Sequence, residues 1–157
     1  MLASVSYQES HFNPEGVSWA GAIGLMGLMP GTAASLGLET DALTNPAENI
    51  RAGAEYLRKL LNNFRSVESR EERLKMALAA YNGGIGHVMD ARALARKYGD
   101  DDSLWEGHVE KYIQLKRLEQ YYTDPVSKSG YFRGDETVRY VRDVIDRWNV
   151  YKEKVKE

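Results

Sequence analysis

The chain has 157 residues, 43% of them hydrophobic and 28% charged, with no cysteine and a formal net charge of −2. This fits a single globular domain, residues 1–157, and excludes disulfides, thiolate metal sites and a cysteine nucleophile. The near-neutral balance, with a pI of 6.0, supplies no basic field, so no nucleic-acid partner is expected.

In chain order, "LASVSYQESHFNP" reads as a helix ended by Pro14, with Leu2, Val5, Glu9 and Phe12 recurring at helical spacing along one apolar stripe. Glu9 is the misfit there. A carboxylate facing a core must either find donors or hold its proton, and a group that holds its proton near neutrality is what a general acid requires. The N-terminal "MLASVSYQES" has neither the basic flank nor the apolar core of a signal peptide, and no run of about 18 apolar residues occurs. Any leader or membrane attachment is therefore expected in sequence outside this chain.

Next comes "GAIGLMGLMPGTA", with glycines at 21, 24 and 27 and Leu25, Met26, Leu28 and Met29 threaded among them. Closely spaced glycines mark a backbone that bends or is closely approached, and the large apolar side chains indicate that the bend is packed.

Helices follow with explicit start and stop signals. "NPAENIRAGAEYLRKLLNNF" has Asn45 as cap, Pro46 at the first helical position and Glu48 three residues after the cap, with Ile50, Leu57, Leu60, Leu61 and Phe64 on one face. "SREERLKMALAAYNGG" pairs Ser69 with Glu72 as a capping box, buries Leu74, Ala77, Leu78 and Tyr81, and stops at Gly83 and Gly84. "GHVMDARALARKYG" runs to Gly99, and "SLWEGHVEKYIQLKRLEQYY" is expected to start at a third capping box, Ser103 with Glu106. "TDPVSKSGYFRGDET" is a loop with enough apolar content to dock on a neighbour. The last helix begins near Asp135, with Val138, Val141, Val144, Ile145, Trp148 and Val155 as its apolar side. The fold class is mainly α, with at most a small hairpin.

Read together, "ESHFNPEGVSWAGAIGLMGLMPGTA" (9–33), "AAYNGGIGHV" (79–88) and "ETVRYVRDVI" (136–145) resemble, in order and spacing, the motifs of the soluble lytic transglycosylase domain family. The later segments look most like the catalytic domain of a membrane-bound branch that also carries a solute-binding-like domain, absent here. The resemblance implies a lysozyme-like helical domain related to goose-type lysozyme. It also implies cleavage of peptidoglycan glycan strands between N-acetylmuramic acid and N-acetylglucosamine.

Carried over by position, the family's catalytic acid matches Glu9 and its supporting serine Ser18. Met29 matches a wall of the sugar cleft, Tyr81 and Asn82 the Ala-Tyr-Asn pair, and Tyr140 the late tyrosine near the acid. Gly24 and Gly27 form the glycine wall, and Glu136 is a structural partner for nearby backbone. Gly27 stands where the family has a glutamine that contacts substrate, so one binding contact is missing and a roomier or water-filled patch of cleft is expected there; improved sugar binding by Gly27→Gln would support the missing contact and unchanged affinity would count against it.

The resemblance further implies that Glu9 acts alone, as acid and then base, forming a 1,6-anhydro product. A hydrolytic muramidase and a non-catalytic peptidoglycan-binding module stay open as alternatives. Neither His11, His87 and His108 nor the run Asp100–Asp102 has ligand spacing, so no metal and no cofactor are expected. A monomer in the periplasm or cell envelope is expected, associated with the outer membrane in the full-length protein.

Overall fold

In the computed structural model, which describes residues 1–156, helices follow one another in the order α1 (Leu2–Ser10), α2 (Pro30–Ser35), a 3-10 turn (Thr40–Thr44), α3 (Pro46–Asn63), α4 (Arg70–Gly83), α5 (Ile85–Lys97), a π-type turn (Trp105–Val109), α6 (Glu110–Leu115), α7 (Glu119–Tyr122) and α8 (Asp135–Val155). Among the described residues the only extended pairings are isolated antiparallel bridges of Val17 with Ile23 and of Ile23 with Leu28. The mainly α expectation holds. No helix among the described residues is long and apolar enough to cross a membrane. The chain packs as two compact units, Met1–Lys59 with α8 from Asp143 onward, and Leu60–Arg142.

In the first unit, Val5, Met26, Leu28, Leu43, Leu57 and Val144 form the core. α1 ends earlier than its spacing predicts. His11 and Phe12 both turn left-handed, with φ of 53° and 63°, and the Tyr7 ring meets their rings edge-on at 4.8 and 5.6 Å. Left-handed backbone at a residue with a Cβ costs roughly 1–2 kcal/mol, which this ring packing offsets. Phe12 consequently leaves the stripe and is exposed, while Val5 is buried and Glu9 half-buried.

The α3 start is as expected: the Asn45 side chain accepts from the Glu48 amide at 3.1 Å. Its expected face holds at Leu57, Leu60 and Phe64, which are buried, but in the first turn Asn49 is buried in place of Ile50, which is exposed. α8 is held on α1 by Arg147, which donates to Gln8 at 3.0 Å and lies 4.0 Å over the Tyr7 ring. Val155, expected on its apolar side, is exposed because the helix end reaches past the core.

In the second unit α4 is buried on all sides from Lys75 to Tyr81, as a central helix must be. Ser69 caps it by accepting the Glu72 amide at 3.3 Å. The Glu72 carboxylate serves elsewhere, on Lys75 and on the Trp105 amide.

That last contact explains why the third capping box does not form. Ser103 is held in an Asp101 turn, with its amide and hydroxyl both donating to the Asp101 carboxylate at 2.8 and 2.6 Å. Glu106 and Gly107 then depart from helical geometry, Gly107 at φ 70°. The expected long helix is therefore a π-type turn followed by α6 and α7, broken between them at Leu118.

The loop from Thr123 to Gly134 docks on α5, as its composition suggests. The Asp90 carboxylate accepts from the Lys128 and Ser129 amides at 2.9 and 2.8 Å and from the Ser127 hydroxyl at 3.2 Å. Lys116, fully buried, donates to Asp90 at 2.5 Å and lies 2.8 Å from His87 Nδ1. His87 stacks on Phe132 with ring centroids 4.1 Å apart.

Burial, reinforced by the Lys116 charge and opposed by Asp90, pulls the His87 pKa below its ordinary value. The unfolded chain thus binds this proton more readily than the folded one. The contribution of neutral His87 is intact above about pH 6.5 and is lost as pH falls through the window between that value and the lowered folded one. The urea midpoint is expected to fall between about pH 7.5 and about pH 5.5, and His87→Gln to flatten that slope. An unchanged slope in the variant would assign the titration to another group.

Candidate active site

Glu9 lies in the last turn of α1 and points along a wall made by the glycine segment. The turn from Ile23 to Leu28 is closed by reciprocal backbone bonds, Ile23 N to Leu28 O at 2.9 Å and Leu28 N to Ile23 O at 3.0 Å. Inside it Gly24 and Gly27 adopt φ of 79° and 60°, the left-handed region where a Cβ is unfavourable.

Both glycines are also required by close approach. A Cβ on Gly24 would fall 2.6 Å from the Leu43 carbonyl and 2.7 Å from Asn49 Cγ. A Cβ on Gly27 would overlap the Glu9 carboxylate oxygen and lie 2.9 Å from its Cδ. The roomier patch expected at Gly27 is therefore corrected: the space that a side chain would take at Gly27 is filled by Glu9 itself.

Two residues that sequence reasoning passed over position this wall. Asn49, with no exposed surface, accepts from the Met26 amide at 2.7 Å and donates to the Ile23 and Leu43 carbonyls at 3.0 and 2.9 Å. Ser10 donates to the Leu25 carbonyl at 2.9 Å. The only signal for Asn49 was a polar residue four positions after the α3 cap, one place from the apolar Ile50. Asn49→Ala is expected to destabilise the fold by about 2–4 kcal/mol, because a buried amide and two carbonyls lose their partner. Urea denaturation checks this, and a loss below about 1 kcal/mol would mean that water replaces the side chain.

A cavity of about 220 Å³ opens beside Glu9, lined by Glu9, Ser10, His11, Gly16 to Ser18, Ala22, Gly24 and Gly27. Glu9 is the single carboxylate of that lining. Ser18 borders the cavity, and its hydroxyl accepts from the Ala22 amide at 3.0 Å, which orients it and shapes the turn around it. Met29, at the start of α2, is 43% exposed and outside the lining.

The other predicted residues belong to the second unit. Tyr81 on α4 and Tyr140 on α8 are buried. Asn82 accepts from the Thr137 hydroxyl at 2.7 Å, tying the end of α4 to α8. Glu136 is exposed in the first turn of α8, where a negative charge complements the helix N-terminus.

A half-buried glutamate on a glycine-walled cavity in a helical protein agrees with what comparison with known proteins finds. The family model of the transglycosylase SLT domain matches residues 1–104, and the chain belongs to that family. It is 42% identical over 144 residues to membrane-bound lytic murein transglycosylase F of Photobacterium profundum, covering 92% of this chain and 27% of that protein. It is 41% identical over 154 residues to the protein of the same name from Desulfosudis oleivorans, covering 98% of this chain and 33% of that protein.

The chain thus spans about a quarter to a third of the length of these curated relatives. The X-ray structure of an inactive glutamate-to-glutamine mutant of lytic transglycosylase Slt from Pseudomonas aeruginosa matches with a TM-score of 0.60 and 27% identity, over 99% of this chain and 21% of that one. The lysozyme-like helical fold is that of this neighbour.

Proposed function

We propose that this chain is a catalytic domain that cleaves the β-1,4 bond between N-acetylmuramic acid and N-acetylglucosamine in peptidoglycan. Glu9 donates its proton to the glycosidic oxygen as the bond to the anomeric carbon breaks. The resulting carboxylate takes the proton of the muramoyl 6-hydroxyl while that oxygen bonds to the same carbon. The product is a 1,6-anhydro sugar and no water is consumed. Ser18 orients the sugar's acetamido group, which stabilises the cationic centre. Met29, Tyr81, Asn82 and Tyr140 keep the sugar-binding and supporting roles that the family resemblance assigns to them.

The observation that carries this reading is Glu9 as the single carboxylate on its cavity. Most hydrolytic glycosidases set two carboxylates about 5–10 Å apart across the bond, one of them to serve a water or the sugar. A reaction in which the substrate supplies its own hydroxyl needs only one. The names of the relatives and the inactive glutamate mutant of the structural neighbour agree with it. Peptidoglycan as substrate places the protein in the cell envelope.

Mass spectrometry of purified sacculi digested with the protein tests the proposal. Anhydro-muramoyl ends are expected. Reducing ends would identify a hydrolytic muramidase, and intact strands a binding module.

A further inference from the structure

We propose that Trp19 is a docking platform for a pyranose ring of the glycan strand, set beside the bond presented to Glu9; the proposal rests on the peptidoglycan reading above. Trp19 is 101% exposed, whereas Trp105 is 2% exposed and Trp148 is half-buried with the Lys152 ammonium 4.0 Å over its ring. An indole this exposed presents a large flat apolar face with a polar N–H at its edge, the combination for which tryptophan is enriched at contact surfaces.

Its backbone is ordered. Trp19 sits at the tip of a turn closed by Gly21 N to Ser18 O at 2.9 Å and Ser18 N to Ala22 O at 2.9 Å. The Ala22 amide to the Ser18 hydroxyl and the pairing of Val17 with Ile23 brace it further. With the backbone of the turn fixed, only the two side-chain torsions of the indole are ordered on binding, which favours a receiving surface over a mobile tail.

Chemistry and position select the occupant. Val17, Ser18 and Ala22, on both arms of this turn, line the Glu9 cavity, so the platform continues the sugar site. Val17 is itself 66% exposed and extends the apolar surface. Neither the cavity lining nor the turn carries a lysine or arginine, which disfavours a polyanion or an anionic lipid headgroup. The C–H face of a pyranose is apolar and flat enough to lie on an indole, while its rim hydroxyls and acetamido group remain available to polar groups such as Ser18.

The test uses N-acetylglucosamine hexamer as probe with the Glu9→Gln variant, in which turnover is removed. The hexamer is expected to shield tryptophan emission from iodide, and Glu9→Gln/Trp19→Ala to bind it about tenfold more weakly, with Trp19→Phe retaining most of the affinity. In otherwise unaltered protein, Trp19→Ala is expected to raise KM for soluble glycan strands by a similar factor with kcat kept.

Hexamer affinity within twofold of the parent would overturn the proposal. So would a Trp19→Ala defect confined to binding of phosphatidylethanolamine and phosphatidylglycerol vesicles. Because the hexamer titration needs no cleavage, it decides on Trp19 even if digestion of sacculi yields no anhydro ends.

Discussion

Glu9→Gln is expected to reduce release of soluble muropeptides from sacculi by about 10³-fold or more, near the upper end of what a positioned general acid and base contributes. The amide is nearly the same size as the carboxyl but has no proton acidic enough to give to the leaving oxygen, and afterwards no lone pair basic enough to take one from the 6-hydroxyl. In the proposed mechanism one group serves two steps, so one substitution removes both. The side chain is half-buried at the end of α1, and the fold should survive, with an unchanged circular dichroism spectrum and a melting temperature near that of the parent. Activity above about a tenth of the parent rate would transfer the acid role to another residue.

Gly27→Ala is the second large effect, and it separates strain from positioning. A single methyl group at φ 60° would overlap the Glu9 carboxylate, so either the turn shifts or Glu9 rotates away. Displacing a catalytic group by about 1 Å costs on the order of 10²-fold in rate, and the left-handed backbone adds roughly 1–2 kcal/mol of destabilisation. Both a lower kcat and a lower melting temperature are therefore expected.

Gly37→Ala is the control. Gly37 has φ of 76° but meets nothing within 4 Å of a Cβ, so it should lose stability and keep activity. Equal loss of activity in the two variants would reduce the Gly27 effect to instability. Gly27→Gln meets the same obstruction at its Cβ as Gly27→Ala, so a gain in sugar binding is not expected from it.

Much of the helical framework was legible because its signals are local. Asn45 and Ser69 cap α3 and α4 through their own side chains three residues away, and Gly84 ends α4. The third box failed through a distant competitor. Glu72, 33 residues earlier in the chain, holds the Trp105 amide, and Asp101 holds Ser103; neither contact leaves a trace in the spacing of Ser103 and Glu106. The π-type turn and the division into α6 and α7 followed from contacts that no local pattern encodes. The short α2 went unnoticed even though Pro30 at its first position was a usable signal.

The candidate site divides in the same way. Glu9 stood out because a carboxylate on an apolar stripe conflicts with its surroundings, and glycines 24 and 27 stood out because closely spaced glycines mark a backbone that bends or is closely approached. The sequence by itself determined where the chain bends, where its helices start and which carboxylate is the anomaly, since these depend on energies within a few residues. Only the tertiary structure decided that Glu9 occupies the space above Gly27, that Asn49 from α3 holds the turn from 23 residues away in the chain, and that Trp19 stands bare beside the cavity. Those facts depend on close packing between segments remote in sequence, where a few tenths of an ångström separate contact from overlap.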